Sequence, residues 1–176
     1  GPRPVASCTQ ASSAMQAMAL RGEELALRDY LGSLQAPQWK DYVSLQAKRL
    51  ASSDPEERSQ ALFPLLAGAW LAAKNGDSQT ARRALELAKA PVLARPENLL
   101  LGMQAVVEAE LALRAGDPAK AIALLLARHD GTELYFSHAV LLRAYLAAKN
   151  YTAALTESNW LAHERGRFAH LVDVLP

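Results

Sequence analysis

Apolar residues recur along most of the chain at intervals of three and four, the spacing of one face of an α-helix. The pattern predicts about eight helices and no strands, so the predicted fold class is all-α. The first apolar pattern runs from Ala14 to Leu34, and Pro37 opens the second helix. Asp54 and Pro55 predict the next helix start, because Asp is a favoured N-cap residue and Pro is favoured in the first turn.

Three stretches of the chain repeat one another. Leu71–Asp77 and Leu111–Asp117 are apolar helical runs that close with Gly-Asp, whereas Leu146–Tyr151 carries Asn150 in place of Asp. An alanine follows four residues after each Asp or Asn: Ala81, Ala121 and Ala154. Internal repeats of this length indicate stacked helical hairpins. We therefore expect each stretch to mark a turn between two paired helices, with Asp77 or Ser78 capping the helix after the first turn.

The remaining helix boundaries follow from prolines and glycines. The helix after Asp77 is predicted to end before Pro91, and the segment Pro91–Pro96 to connect it to the next helix. Another helix is expected from about Glu133, with a partner from about Thr152 to Glu164. Phe168–Val172 is predicted to begin one more helix, or to be its remnant.

These features resemble the tetratricopeptide repeat (TPR), a helical hairpin with a small residue where its two helices meet, Gly-Asp at the turn and Ala four residues later. The matching positions are Ala69, Ala72, Gly76, Asp77, Ala81, Leu85 and Ala88, then Ala109, Ala112, Gly116, Asp117, Ala121 and Leu125, then Tyr145 and Ala154. The resemblance covers roughly residues 58 to 165. It implies a right-handed α-solenoid of about four antiparallel hairpins.

The domain organisation follows from where the resemblance begins. None of the three units has the family's Trp near the start of its first helix, and the first 53 residues match poorly. Residues 11–53 are therefore expected to form a divergent helical hairpin or cap. Residues 54–176 are expected to form the repeats, packed with that cap as one domain, and residues 1–10 a flexible tail.

The composition narrows the classes of partner. A net charge of +1 does not favour nucleic acid as a partner, because nucleic-acid binding usually needs a clustered basic face.

Cys8 is the single cysteine, so an internal disulfide is excluded. Whether Cys8 is lipidated or simply part of the tail is left open. Gly1-Pro2 matches the remnant of a tag-removing protease, so we expect a segment of a larger protein. The sequence contains no run of about 18 apolar residues, so we expect no membrane insertion within this segment.

Catalytic and metal-binding patterns are absent from the sequence. His163 and His170 lie seven residues apart with Gly166 between them, which favours exposed histidines over a metal site. Ser137 and His138 are neighbours on different sides of a helix and form no nucleophile–base pair. No phosphate-binding loop occurs, since neither Gly76 nor Gly116 is followed by Lys-Ser or Lys-Thr. We therefore expect no enzyme activity and no cofactor.

The TPR resemblance implies a partner-binding concave face made by one side of the first helix of each hairpin. Applying the family's register to this sequence places three sets of residues on that face. They are Phe63, Leu66, Trp70 and Lys74 from the first unit, Met103, Val106, Glu110 and Arg114 from the second, and Phe136, Ala139, Arg143 and Leu146 from the third. This set predicts an apolar floor with three cations, a groove for a peptide that is acidic or offers a C-terminus. The alternative is that the aromatic residues are core, with Trp70 packed on Trp39 or Tyr42.

Two functions follow as hypotheses. The first is a non-catalytic interaction module that binds a protein or peptide, a scaffold or adaptor of a larger and, from its Ala-, Leu- and Arg-rich helices, bacterial protein. The alternative is a ligand-sensing domain of a membrane-anchored regulator, in which a small molecule occupies the concavity. Homo-oligomerisation through the last helical segment is compatible with either. The compartment is left open, cytoplasm or periplasm.

Overall fold

A computed structural model describes residues 32–129, 131 and 133–164, together with the separate positions 22, 24, 25, 28 and 29. All regular structure in this part of the chain is helical, which confirms the all-α prediction there. The predictions for residues 1–10, Cys8, Phe168–Val172 and His170 lie outside the described residues.

Seven complete helices lie in the described part of the chain. They are α1 (Ala36–Leu50), α2 (Pro55–Lys74), α3 (Ser78–Ala94), α4 (Asn98–Arg114), α5 (Pro118–Leu126), α6 (Tyr135–Ala147) and α7 (Tyr151–His163). The five separate positions before residue 32 also have helical backbone. The predicted start at Asp54 is confirmed, because its side chain accepts a hydrogen bond from the Glu56 N–H and Pro55 is the first helical residue.

The predicted end of α3 before Pro91 is wrong. The helix continues through this proline to Ala94, and the Arg95 N–H donates to the Pro91 carbonyl. Proline removes one backbone hydrogen bond from a helix interior. Val92 follows directly and is completely buried, so apolar packing holds the last turn in place. The extra residues of this unit therefore lengthen the helix instead of forming a loop from Pro91 to Pro96.

The three repeated turns share one backbone conformation. The residue before the capping position has a left-handed φ in each: 86° at Gly76, 81° at Gly116 and 59° at Lys149. A backbone bond then closes each helix end, from Asp77 to Ala72, from Asp117 to Ala112 and from Asn150 to Tyr145. The third turn thus adopts the glycine conformation with a lysine, which has a Cβ atom and fits the left-handed region poorly.

The residue after each left-handed position caps the following helix. Its side chain accepts the backbone N–H three residues later, from Thr80 for Asp77, from Lys120 for Asp117 and from Ala153 for Asn150. Such a bond satisfies one of the otherwise unpaired N–H groups of a helix start. Asp77, and not Ser78, is therefore the cap of α3, and Ser78 is the first helical residue.

Small residues fill the contacts between helices. α2 packs against α3 and α4, and α4 packs against both α5 and α6. The alanines without exposed surface are Ala61, Ala69, Ala72, Ala73, Ala81, Ala84, Ala109, Ala121 and Ala144. One buried apolar cluster extends from Leu25 to Ala144. Helices whose contact residues have short side chains can approach closely, so alanine takes the place of the sparse aromatic residues in this core.

The first described helix belongs to the same core. Gly68 of α2 lies directly under α1, and a Cβ atom there would stand 2.8 Å from Val43 Cγ2 and 3.1 Å from Tyr42 Cδ1. Tyr42 and Val43 are both buried. Glycine is therefore required at Gly68 by the close approach of α1 and α2.

A polar bond ties α1 to the first repeated turn. Trp39 Nε1 donates to Asp77 Oδ2 over 3.1 Å, and Lys40 Nζ lies 3.6 Å from the same oxygen. Burial works to raise the pKa of the Asp77 carboxyl, but hydrogen bonds from Thr80 and Trp39 outweigh it. The Lys40 charge acts in the same direction, so the pKa of Asp77 lies below its ordinary value.

Replacing Lys149 by Gly is expected to stabilise the protein by about 0.5–1 kcal/mol, because glycine adopts a left-handed φ without strain. Gly116→Ala, in the matched turn, is expected to destabilise by a similar amount. The urea unfolding midpoints of both variants provide the measurement. A Lys149→Gly variant less stable than wild type would contradict this account of the turn.

Asp77→Asn keeps a capping side chain but removes its charge, and we expect it to cost about 1 kcal/mol at neutral pH. Since the folded-state pKa is lowered, the charge stabilises the fold fully above about pH 4 and progressively less as pH falls through the folded-state pKa. The gap between wild type and variant should therefore close in acid. Asp117→Asn is the matched control, and equal losses in both variants would argue against a role for Trp39.

Candidate binding face

The side chains predicted to bind a partner lie on three neighbouring helices. α4 packs against both α2 and α6, and the Trp70–Phe136 and Arg143–Glu110 contacts bring predicted residues of the three helices together. We call this set the α2–α4–α6 face. It comprises Phe63, Leu66, Trp70 and Lys74 from α2, Met103, Val106, Glu110 and Arg114 from α4, and Phe136, Ala139, Arg143 and Leu146 from α6.

The predicted apolar floor of this face is part of the core. Leu66, Met103 and Val106 have no exposed surface. The Trp70 and Phe136 rings contact each other with centroids 4.8 Å apart and planes tilted by 56°. This contact joins α2 to α6, the two helices that each pack against α4. The predicted contact set is therefore corrected: a partner cannot touch the three completely buried apolar side chains in this structure, nor Glu110, which was also predicted to contact it and is completely buried.

Trp70 has the burial that core packing requires, but its partner differs from the expected ones. Its described ring contact is with Phe136, and not with Trp39 or Tyr42. Lys74 Nζ lies 5.3 Å from the Trp70 ring centroid, within the range of a cation–π interaction. Phe63 and Phe136 are partly buried beside the same cluster. Trp70 thus supports Lys74 and is buried, whereas Phe63 and Phe136 keep part of their surface exposed.

Glu110 is a completely buried carboxylate held by an arginine fork. Arg143 Nη1 donates to Glu110 Oε1 over 2.9 Å, and Nη2 donates to Glu110 Oε2. Arg114 Nε lies 3.7 Å from Oε1, an ion pair without a hydrogen bond. A bidentate pair with a guanidinium is a strong way to compensate a buried carboxylate. The bidentate grip predicted for a partner's carboxylate is thus used within the chain itself.

The third cation of the face also has a carboxylate partner. Lys74 Nζ pairs with Asp29 Oδ2, and Asn75 Nδ2 donates to Asp29 Oδ1 over 3.1 Å. Three cations and two carboxylates leave the described part of the face with one excess positive charge. The side chain of Arg114 is 46% exposed, compared with 32% for Arg143. Arg114 is therefore the cation of this face best placed to meet a partner.

A buried polar pair between α6 and α7 was missed by sequence reasoning. His138 Nδ1 lies 2.7 Å from Glu157 Oε2, and the imidazole stacks on the Trp160 ring with centroids 3.5 Å apart. Both His138 and Glu157 are buried. Burial, and secondly the Glu157 carboxylate, raise the pKa of the Tyr145 hydroxyl. The pair joins the two helices of the third hairpin.

The register of the repeat contained a signal for this pair. Glu157 follows Asn150 by seven residues, as Ala84 follows Asp77, and Ala84 is completely buried. His138 also lies on the apolar stripe of α6 with Leu141, three residues later. A carboxylate at a buried position requires a partner, and His138 supplies it.

The other histidines do not add a metal site to the described structure. His129 lies with its ring centroid 5.8 Å from that of His138, and its Nδ1 is 3.7 Å from Glu133 Oε1. His163 is exposed at the end of α7 and bonds the Asn159 carbonyl. Within the described residues, no three His, Cys, Asp or Glu side chains are arranged to hold a metal ion.

Arg143→Met is expected to destabilise the protein by about 2–3 kcal/mol, because it leaves Glu110 buried without its fork. Arg114→Met removes an exposed cation at 3.7 Å, so we expect it to cost less than about 0.5 kcal/mol. Adding Glu110→Leu to Arg143→Met should recover most of the lost stability. Chemical denaturation of the four proteins gives the measurement, and equal losses for the two arginine variants would refute the assignment.

Comparisons with models of known protein families, with curated proteins and with solved structures found no match to this chain. Among the helices that the structure describes, none has both the length and the apolar character needed to cross a membrane.

Proposed function

We propose that this chain is a non-catalytic, TPR-like interaction module that binds a peptide or protein segment on its α2–α4–α6 face. The observation that carries the proposal is the half-exposed guanidinium of Arg114, which stands beside the buried Glu110–Arg143 pair. Within the described residues its side chain makes the 3.7 Å ion pair and no hydrogen bond, so its N–H donors are available to a partner. Arginine is enriched at the energetic centres of protein interfaces.

The surroundings of Arg114 fit a bound segment. Leu146 follows Arg143 by three residues and is 49% exposed, so an exposed aliphatic side chain lies on the same side of α6 as Arg143. The packed core below, closed by Trp70 and Phe136, gives the cations a rigid support. Rigid positioning reduces the conformational entropy that binding would otherwise cost. A segment laid along this face would contact cationic heads and one apolar side chain.

Small-molecule sensing is the alternative, and the packing of the face does not favour it. A small-molecule site is usually a concave apolar pocket with a few convergent polar groups. Here the apolar side chains at the floor of the face, Leu66, Met103 and Val106, are completely buried, and Trp70 and Phe136 are packed against each other. An open, cation-bearing surface suits a protein segment better than an enclosed ligand.

Selection of peptides from a random phage-displayed library against the folded chain tests the proposal. We expect enriched peptides to bind the wild type and to lose about tenfold or more in affinity with Arg114→Glu, since a hydrogen bond to a charged group is worth about 1.5–3 kcal/mol. Arg82→Glu is the matched control, because Arg82 is exposed on α3, away from the face. Failure to enrich any peptide, or equal binding by the Arg114→Glu variant, would overturn the proposal.

A further inference from the structure

We infer that Glu110 determines the charge selectivity of the α2–α4–α6 face, so that the face gains affinity from one carboxylate side chain of a bound segment and none from a second. This inference rests on the proposed function and specifies its partner. It depends on how Glu110, Arg114 and Arg143 pair with one another.

Arg143 is already committed to groups of its own chain. Its Nη1 and Nη2 donate to the two oxygens of Glu110, and its Nε donates to the Ala139 carbonyl over 3.4 Å. The edge of the guanidinium that would form a fork with a partner's carboxylate is thus occupied. A second carboxylate from a partner would meet an arginine whose charge Glu110 has compensated.

Glu110 cannot be displaced or reached by a partner in this structure. Its side chain has no exposed surface, and both of its oxygens face arginines. Its negative charge therefore stays in place beside the two arginines when a partner approaches. It attracts Arg114 over 3.7 Å and lowers the positive potential that an incoming anion meets beside Arg143.

The other two cations of the face, Lys74 and Arg114, also differ in whether a carboxylate of the chain compensates their charge. Lys74 is compensated by Asp29, whose side chain is only 9% exposed. Arg114 makes no hydrogen bond within the described residues, so a bidentate bond to one carboxylate is open to it. Leu146 adds an exposed apolar contact on the neighbouring helix. The partner chemistry that fits is one Asp or Glu side chain next to an apolar side chain.

The test compares the peptides that wild type and Glu110→Gln select from the same random library. The wild type should enrich peptides with one acidic residue, and adding a second acid to such a peptide should change its affinity by less than about twofold. Glu110→Gln removes the negative charge that compensates Arg143 and leaves one of its two N–H groups without an acceptor, so the variant should bind the diacidic peptide about fivefold tighter than the monoacidic one at low salt. A wild type that prefers the diacidic peptide, or a variant without that preference, would overturn the inference.

A second variant keeps the test decisive if circular dichroism shows that Glu110→Gln does not fold. Arg114→Gln changes an exposed side chain, and it should bind a selected peptide and its Glu→Gln analogue equally well, whereas wild type should prefer the acid about tenfold. Arg82→Gln should behave as wild type. Binding of peptides without this acid dependence would refute the inference and leave the proposed function standing. Failure to enrich any peptide would refute both.

Discussion

The turn inside each hairpin is the constraint on which the rest of the structure depends. A left-handed residue ends one helix, and the next side chain caps the other, as at Gly76 and Asp77. Two adjacent residues thereby determine the rotation of both helices about their axes. The alanine four residues later is then placed in the helix contact, and Ala81 and Ala121 have no exposed surface.

The same register decides which charges meet. The helix before each repeated turn contributes one charged side chain to this group: Lys74 from α2, Glu110 from α4 and Arg143 from α6. Charges brought together at the edge of a packed core require compensation, which Glu110 finds in Arg143 and Lys74 finds in Asp29. The guanidinium of Arg114, 46% exposed, is the charge that this internal pairing leaves without a hydrogen bond among the described residues.

Patterns local to the chain were sufficient for most elements, and the misses have physical causes. Asp54 and the Gly-Asp turns are short-range signals, because a cap bonds backbone within the next three residues. The end of α3 predicted from Pro91 was wrong, because the burial of Val92 outweighs the cost of a proline inside the helix. His138 was assigned no role, because its partner Glu157 lies on the following helix.

The sequence by itself determined the all-helical class and the turns, because helix periodicity and capping are local properties. The residues of the candidate face were predicted from the register of the family resemblance. Tertiary structure alone decided which of those residues are accessible. Trp70 and Phe136 are 66 positions apart, and their contact closes the floor that periodicity had left open. Burial and ion pairing depend on which neighbours arrive from distant parts of the chain, and so the role of Glu110 emerged only from the packed fold.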